Sequence, residues 1–239
     1  MIYNKKGLTL SRNIPIIRDN KDVHIMPQDK IRQVIARIYG YKRGSVFTPK
    51  DFIDLASHET IRKALSRLTF EKTIRRLTRG VYEYPVHSKL LNAPASPDPD
   101  AIARAIARAH GWTVLPSGET ALNLLGVSTQ VPARWEYFSD GPTKTYRWHS
   151  GGGDGGGGTL VFKHRANKEI AKLSSKTALL VQALKTLGEK NVSQSTISQL
   201  RKRLSEAERK KAVREARYAT SWVYEIIKCL AKERETNHA

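Results

Sequence analysis

The stretch Ser57-His58-Glu59-Thr60-Ile61-Arg62-Lys63-Ala64-Leu65-Ser66-Arg67-Leu68 brings imidazole, guanidinium, ammonium and hydroxyl groups together at helical spacing. Wound as a helix, it turns Ile61, Ala64, Leu65 and Leu68 to one side and His58, Arg62, Lys63, Ser66 and Arg67 to the other. Ser57 is a good N-cap, and Thr60 in the first turn joins the polar set. Such groups do not break bonds by themselves. They bind anions and read hydrogen-bonding edges. A short, capped helix with a basic face of modest side chains suits a duplex major groove, where Lys and Arg meet phosphates and Arg or Ser reach base edges. An ordinary solvated face is the plain alternative.

Bond-breaking chemistry has no comparable signature. His58, His87, His110, His149 and His164 fall in different expected elements, and no His-x-x-His, His-Glu-x-x-His or carboxylate cluster at metal spacing occurs. Ser117-Gly118-Glu119-Thr120 is not a nucleophile elbow. The run Ser150 to Gly158 lacks a phosphate-loop spacing and precedes strand-like sequence, so it reads as a long flexible hairpin loop. No catalytic, metal-binding or cofactor-binding residue is assigned, and an enzyme acting on nucleic acid is the third-ranked reading.

Composition agrees with an anionic partner. Across 239 residues, 42 Lys and Arg face 22 Asp and Glu, giving +20 and a pI near 10.2. That balance favours phosphate or acidic surfaces and says nothing about fold. Cys229 is the single cysteine, which excludes an internal disulfide and fits a reducing, cytoplasmic compartment. No apolar run approaches a membrane span, and the first residues lack a signal peptide's apolar segment.

The elements that must position the basic helix can be read around it. Residues 1–25 read as a loosely ordered, flexible extension, with Met26 as an alternative start. Ile31, Val34, Ile35 and Ile38 mark a first helix from about Pro27 to Tyr39, stopped by Gly40. Thr48-Pro49-Lys50-Asp51 is a helix start, so a second short helix should bury Phe52 and Leu55. The basic helix is then the third, and the tight succession is a helix-turn-helix signature. After it, Ile74 to Tyr84 holds two short strand-forming runs about Gly80, a hairpin positioned as a wing. Arg75, Arg76 and Arg79 on or beside it are candidates for phosphates or a minor groove. Between Met26 and Tyr84, 13 Lys and Arg face 6 Asp and Glu.

Asn92-Ala93-Pro94-Ala95-Ser96-Pro97-Asp98-Pro99 breaks both helix and central strand, which marks 86–100 as a linker. Beyond it, 101–239 reads as an α/β domain. Its helices are expected at Ala101–Ala109 and Gly118–Leu125, and its strands at Trp112–Leu115, Trp135–Phe138, Tyr146–Trp148 and Thr159–Phe162. Four helices come after these: Leu173–Leu187, Val192–Leu204, Glu206–Tyr218 and Ser221–Ala231. Arg201, Lys202 and Arg203, with Gln199, Arg209, Lys210, Lys211, Arg214 and Arg217, form a second basic concentration: solvated faces, or a surface for nucleic acid or an acidic partner. The expected fold class is therefore α+β, an N-terminal winged helix-turn-helix (26–85) followed by a small mixed sheet domain with C-terminal helices.

Tyr39-Gly40-Tyr41-Lys42-Arg43-Gly44-Ser45-Val46-Phe47-Thr48-Pro49-Lys50-Asp51-Phe52, the helix Thr60 to Leu68 and the hairpin Ile74 to Pro85 resemble the winged-helix part of AbiEi-like antitoxins and their uncharacterised, DUF6088-like relatives. Leu115 to Gly126, Phe138-Ser139-Asp140-Gly141-Pro142, Phe162-Lys163-His164-Arg165 and Ala216 to Trp222 extend the resemblance over nearly everything from Met26 onward. The resemblance implies a regulator whose winged helix binds operator repeats and represses its own operon. It also implies that the later region counters a nucleotidyltransferase-like toxin, as in type IV toxin-antitoxin systems. The glycine-rich insertion and the N-terminal extension depart from the family pattern, and no antitoxic residue follows from a motif.

The combined expectation is a sequence-specific DNA-binding regulator, nucleoid-associated when bound. Lys63, Ser66 and Arg67 would lie near base edges, and Arg62, Arg75, Arg76 and Arg79 mainly near phosphates. Double-stranded DNA is the expected partner, with a cognate toxin and a homodimer as further partners and no membrane. The runner-up is a protein-interaction module, a contact antitoxin or phage-defence adaptor, using the basic C-terminal helices and Trp135, Tyr137, Tyr146 and Trp148.

Overall fold

The computed structural model describes residues 27–88, 90, 92–150 and 157–232; the expected extension 1–25, Met26 and most of the glycine-rich run lie outside these described residues.

Helix α1 (Pro27–Gly40) places Asp29 in its first turn and Arg37 in its last, each favourable to the helix dipole, and buries Val34 and Ile38. Strand β1 (Val46–Phe47) follows. The expected second helix is instead a single 3-10 turn, Pro49–Phe52. Its Asp51 carboxylate is drawn back, accepting from the Thr48 amide at 2.7 Å and the Thr48 hydroxyl at 3.2 Å, and Leu55 beyond it is only half-buried. Helix α2 (His58–Phe70) is the basic helix, capped where the Ser57 hydroxyl accepts from the Thr60 amide at 3.4 Å. Ile61, Ala64, Leu65 and Leu68 are buried at 0–1 % exposure beside Val34, Ile38, Phe47, Phe52 and Ile74. Each such Ile or Leu contributes about 1.5–3 kcal/mol of burial.

Strands β2 (Arg75–Thr78) and β3 (Val81–Glu83) form the expected hairpin, and β1 pairs antiparallel with β3 to give the order β1-β3-β2. The hairpin turn uses Gly80 at φ +75°, a left-handed conformation that glycine adopts without strain.

The stretch read as a linker carries its own small antiparallel pair, β4 (His87–Ser88) and β5 (Ala93–Pro94). Helix α3 (Pro99–His110) already begins within it, capped by Asp98. Strand β6 (Val114–Pro116), helix α4 (Gly118–Leu124) and strands β7 (Trp135–Ser139), β8 (Lys144–His149) and β9 (Gly157–His164) build a mixed sheet of order β6-β7-β9-β8. Within it β7 and β9 are parallel, and the other two pairings are antiparallel. Gly157 and Gly158, expected in the loop, are strand residues paired with His149 and Trp148. A side chain at Gly158 would strike the Trp148 ring 2.2 Å away, so the indole occupies the space that glycine leaves.

Helices α5 (Asn167–Ile170), α6 (Ser175–Leu187), α7 (Gln194–Arg203), α8 (Glu206–Glu215) and α9 (Ser221–Ala231) complete the described chain. Leu180, Leu184, Ile197, Leu200, Leu204, Val223, Ile227 and Leu230 gather their apolar faces, with α4, into one cluster. The architecture is mixed α and β. Among the described residues no helix is long and apolar enough to cross a membrane.

One expectation changes here. Trp135, Tyr137 and Trp148 are buried in a core with Ile102, Ile106, Leu160 and Phe162, so they are not a contact surface; Tyr146 packs half-buried against the same core. That core also takes Val46, Leu77 and Val81 from the N-terminal sheet. The β1-β3-β2 sheet therefore has one face toward α1 and α2, through Phe47, Ile74 and Tyr82, and another toward α3 and the second sheet.

Candidate nucleic-acid interface

The buried stripe of α2 dictates what the other side presents. His58, Arg62, Lys63, Ser66 and Arg67 are all exposed, and Thr60 is half-buried at the first turn. Neither Arg62 nor Arg67 lies beneath the core. Lys63 Nζ pairs with Glu59 Oε1 at 2.7 Å, and Arg67 Nε with Glu71 Oε1 at 2.8 Å, one helical turn away in each case. The Lys63 ammonium holds the Glu59 carboxyl below its ordinary value, and the Glu71 carboxylate raises the Arg67 guanidinium further above its own. Both pairs are exposed and weak in water, so a phosphate can take either cation at little cost.

Two of the three hairpin arginines are open to solvent. Arg79 is exposed at the Gly80 turn, and exposed Arg76 makes a long 3.3 Å bond from Nε to the Thr78 carbonyl. The register slips between Arg76 and Thr78, which marks a bulge, a feature that re-aims strand side chains.

Arg75 is a correction to the expected set. Its side chain is 11 % exposed and is ion-paired to Glu83, itself 3 % exposed. The guanidinium also donates to the Ala95 and Ser150 carbonyls. Each of its three nitrogens has a partner and the side chain is largely buried, so Arg75 is not available to a phosphate; it ties the hairpin to the 93–95 segment and to the residue after β8. Strand alternation carried the signal, because Arg75 shares the face of Leu77 two residues on, and Leu77 is core.

Other side chains at this surface were not singled out from sequence. Phe70 at the end of α2 is 89 % exposed and Tyr39 at the end of α1 is 54 % exposed. Tyr39 packs on Tyr84 with ring centres 6.2 Å apart, and Arg43 lies over Tyr84 at 4.6 Å while donating to the Pro85 carbonyl. Phe70 was legible: at about 100° per residue it lies roughly 180° round the helix from Ile61, opposite the buried stripe.

Elsewhere the second basic concentration divides. Arg201 donates to the Cys229 carbonyl and Arg209 to the Arg201 carbonyl, which holds both inside the helical region. Lys210 pairs with Glu206 and Lys211 with Glu215. Lys202 and Arg203 are exposed on the last turn of α7. Among the described residues no group of three His, Cys, Asp or Glu side chains is placed to hold a metal ion.

No curated protein matches the chain. Among solved structures it is similar to the RV2827C protein from Mycobacterium tuberculosis, at 12 % identity over 85 % of this chain and 76 % of that one, with a TM-score of 0.39. A family model covers most of the sequence, residues 31–212, and on that match the chain belongs to the family of unknown function DUF6088.

Proposed function

We propose that the protein is a sequence-specific duplex-DNA-binding regulator, with α2 and the Arg76–Arg79 hairpin acting as recognition helix and wing. The observation that carries the reading is one exposed face holding Arg62, Lys63, Ser66 and Arg67, next in the chain to a hairpin that exposes Arg76 and Arg79. A helix of this kind enters a major groove with short polar and guanidinium groups toward base edges, while flanking cations meet phosphates. In this reading the protein represses its own promoter, and its later region serves as the antitoxin of a type IV-like pair. The test is a titration of the purified full chain against its own upstream duplex and a scrambled duplex, each at two salt concentrations. Preference for the upstream duplex, with affinity for both falling steeply with salt, supports the proposal. Equal, salt-insensitive affinities would remove it.

Contact with a protein is the second reading, favoured by the exposed aromatic pair Phe70 and Tyr39 beside Arg67. Large exposed aromatics are what protein interfaces enrich. Co-purification of a nucleotidyltransferase-like toxin with the wild type but not with Phe70→Asp would select it.

A further inference from the structure

Helix α7 repeats the cap, much of the inward stripe and one basic position of α2. Ser57-x-x-Thr60-Ile61 corresponds to Ser193-x-x-Thr196-Ile197, Ala64 to Leu200, Arg67 to Arg203 and Leu68 to Leu204, all at one offset. The capping repeats as well. Ser193 Oγ accepts from the Thr196 amide at 3.2 Å and lies 3.0 Å from the Thr196 hydroxyl; the Ser57 hydroxyl lies at the same 3.0 Å from that of Thr60. Ile197, Leu200 and Leu204 are buried as their α2 counterparts are. On the inward stripe Arg201 stands where α2 has Leu65, and it donates to the Cys229 carbonyl; the outward positions other than Arg67 and Arg203 carry different residues.

The residues left outside on α7 are Gln194, Ser195, Gln199, Lys202 and Arg203. The helix contains no carboxylate, and neither Lys202 nor Arg203 has an ion-pair partner among the described residues. From Ala171 to Lys232 the sequence has fourteen Lys and Arg against five Glu and no Asp. None of the exposed large apolar side chains among the described residues lies on α7, so the face lacks the anchors a protein interface is built around. Amide, hydroxyl and cationic groups on one exposed helical face are instead the set that reads adenine and guanine edges and neutralises phosphates.

We infer that α7 is a second duplex-binding helix, so that one chain grips DNA at two places, with Gln199 toward base edges and Lys202 and Arg203 toward phosphates. The grip at two places rests on the proposed function of α2, whereas the duplex contact of α7 rests on its own exposed face.

The experiment uses the full chain and a labelled duplex pool of random sequence, enriched by rounds of binding to the wild type, then footprinted and titrated against salt. The variants are Gln199→Ala/Lys202→Ala and Arg67→Ala, with Lys202→Gln alone as a milder form; Gln199 and Lys202 are exposed, so thermal melting should not move. The wild type is expected to protect two separate patches. Gln199→Ala/Lys202→Ala should lose one patch and about one unit of log-log salt slope, and keep the patch that Arg67→Ala loses. Unchanged patches and slope in both α7 variants overturn the inference, as does a wild type with a single patch that only Arg67→Ala removes, an outcome that leaves the α2 reading standing. Loss of binding in the α7 variants with no effect of Arg67→Ala supports α7 and removes α2 instead.

Discussion

Arg75 and Arg76 adjoin in the chain, yet they serve different ends. Arg75 faces inward, and replacing it with Ala would strand Glu83 at 3 % exposure without its cation. Breaking a buried pair in this way costs about 3–5 kcal/mol, so chemical denaturation of Arg75→Ala should show a large loss of stability. Arg76→Ala should melt like the wild type and weaken binding to specific and scrambled duplexes by a similar factor. Arg67→Ala should behave differently again, losing about tenfold to a hundredfold in affinity for the preferred duplex and much less for the scrambled one. Comparing the two affinity ratios separates base reading from phosphate contact. The outward face of α2 was legible because Ile61, Leu65 and Leu68 leave it no other side to turn. The role of Arg75 was only half legible. Alternation beside Leu77 indicates that it points inward, but its acceptors at Ala95 and Ser150 are brought to it by the fold from far along the chain.

At the level of elements, α2 and its hairpin depend on two local devices. Ser57→Ala removes the hydroxyl that caps Thr60 and should cost about 1 kcal/mol. Gly80→Ala meets no neighbouring atom within 4 Å, so its cost is the left-handed backbone alone, about 1 kcal/mol. It should also weaken duplex binding by detuning the turn that presents Arg76 and Arg79, whereas Ser57→Ala should act mainly on melting. Most elements were readable in this local way: periodicity placed α9 at Ser221–Ala231, and Gly80 placed the hairpin turn. The failures were not local. The 3-10 turn Pro49–Phe52 has a local capping box in Thr48 and Asp51, yet Asp51 is also held by Arg108, 57 residues on. The assignment of Gly157 and Gly158 to strand depends on an indole ring from the neighbouring strand. The parallel pairing of β7 with β9, with β8 displaced to the edge, has no trace in any one segment.

Across the whole molecule, the N-terminal sheet is joined to the second sheet and its helices by more than a linker. Val46, Leu77 and Val81 share a core with α3 and the second sheet, so excised residues 27–88 should melt well below the full chain. Arg108 of α3 adds a polar tie, bonding Asp51 at 2.7 and 3.1 Å and the Val46 carbonyl at 3.3 Å. Burial pushes the Asp51 carboxyl up, but the bonds from Arg108 and Thr48 outweigh it and hold the group below its ordinary 3.8. A carboxyl lowered by folding adds stability above its ordinary value and loses it as pH falls through the folded value. Melting of the wild type should therefore decline below about pH 4 more steeply than that of Asp51→Asn. A hairpin anchored in this way presents Arg76 and Arg79 from a fixed base, and in the proposed function this base and α2 together hold a duplex. The most direct measurement is the salt dependence of full-chain affinity for the upstream duplex, taken for the wild type and for Arg62→Ala/Arg76→Ala. We predict a steep wild-type slope that falls by about two units in the variant while its melting is unchanged. A wild-type slope near zero, or the same slope in both proteins, would contradict it.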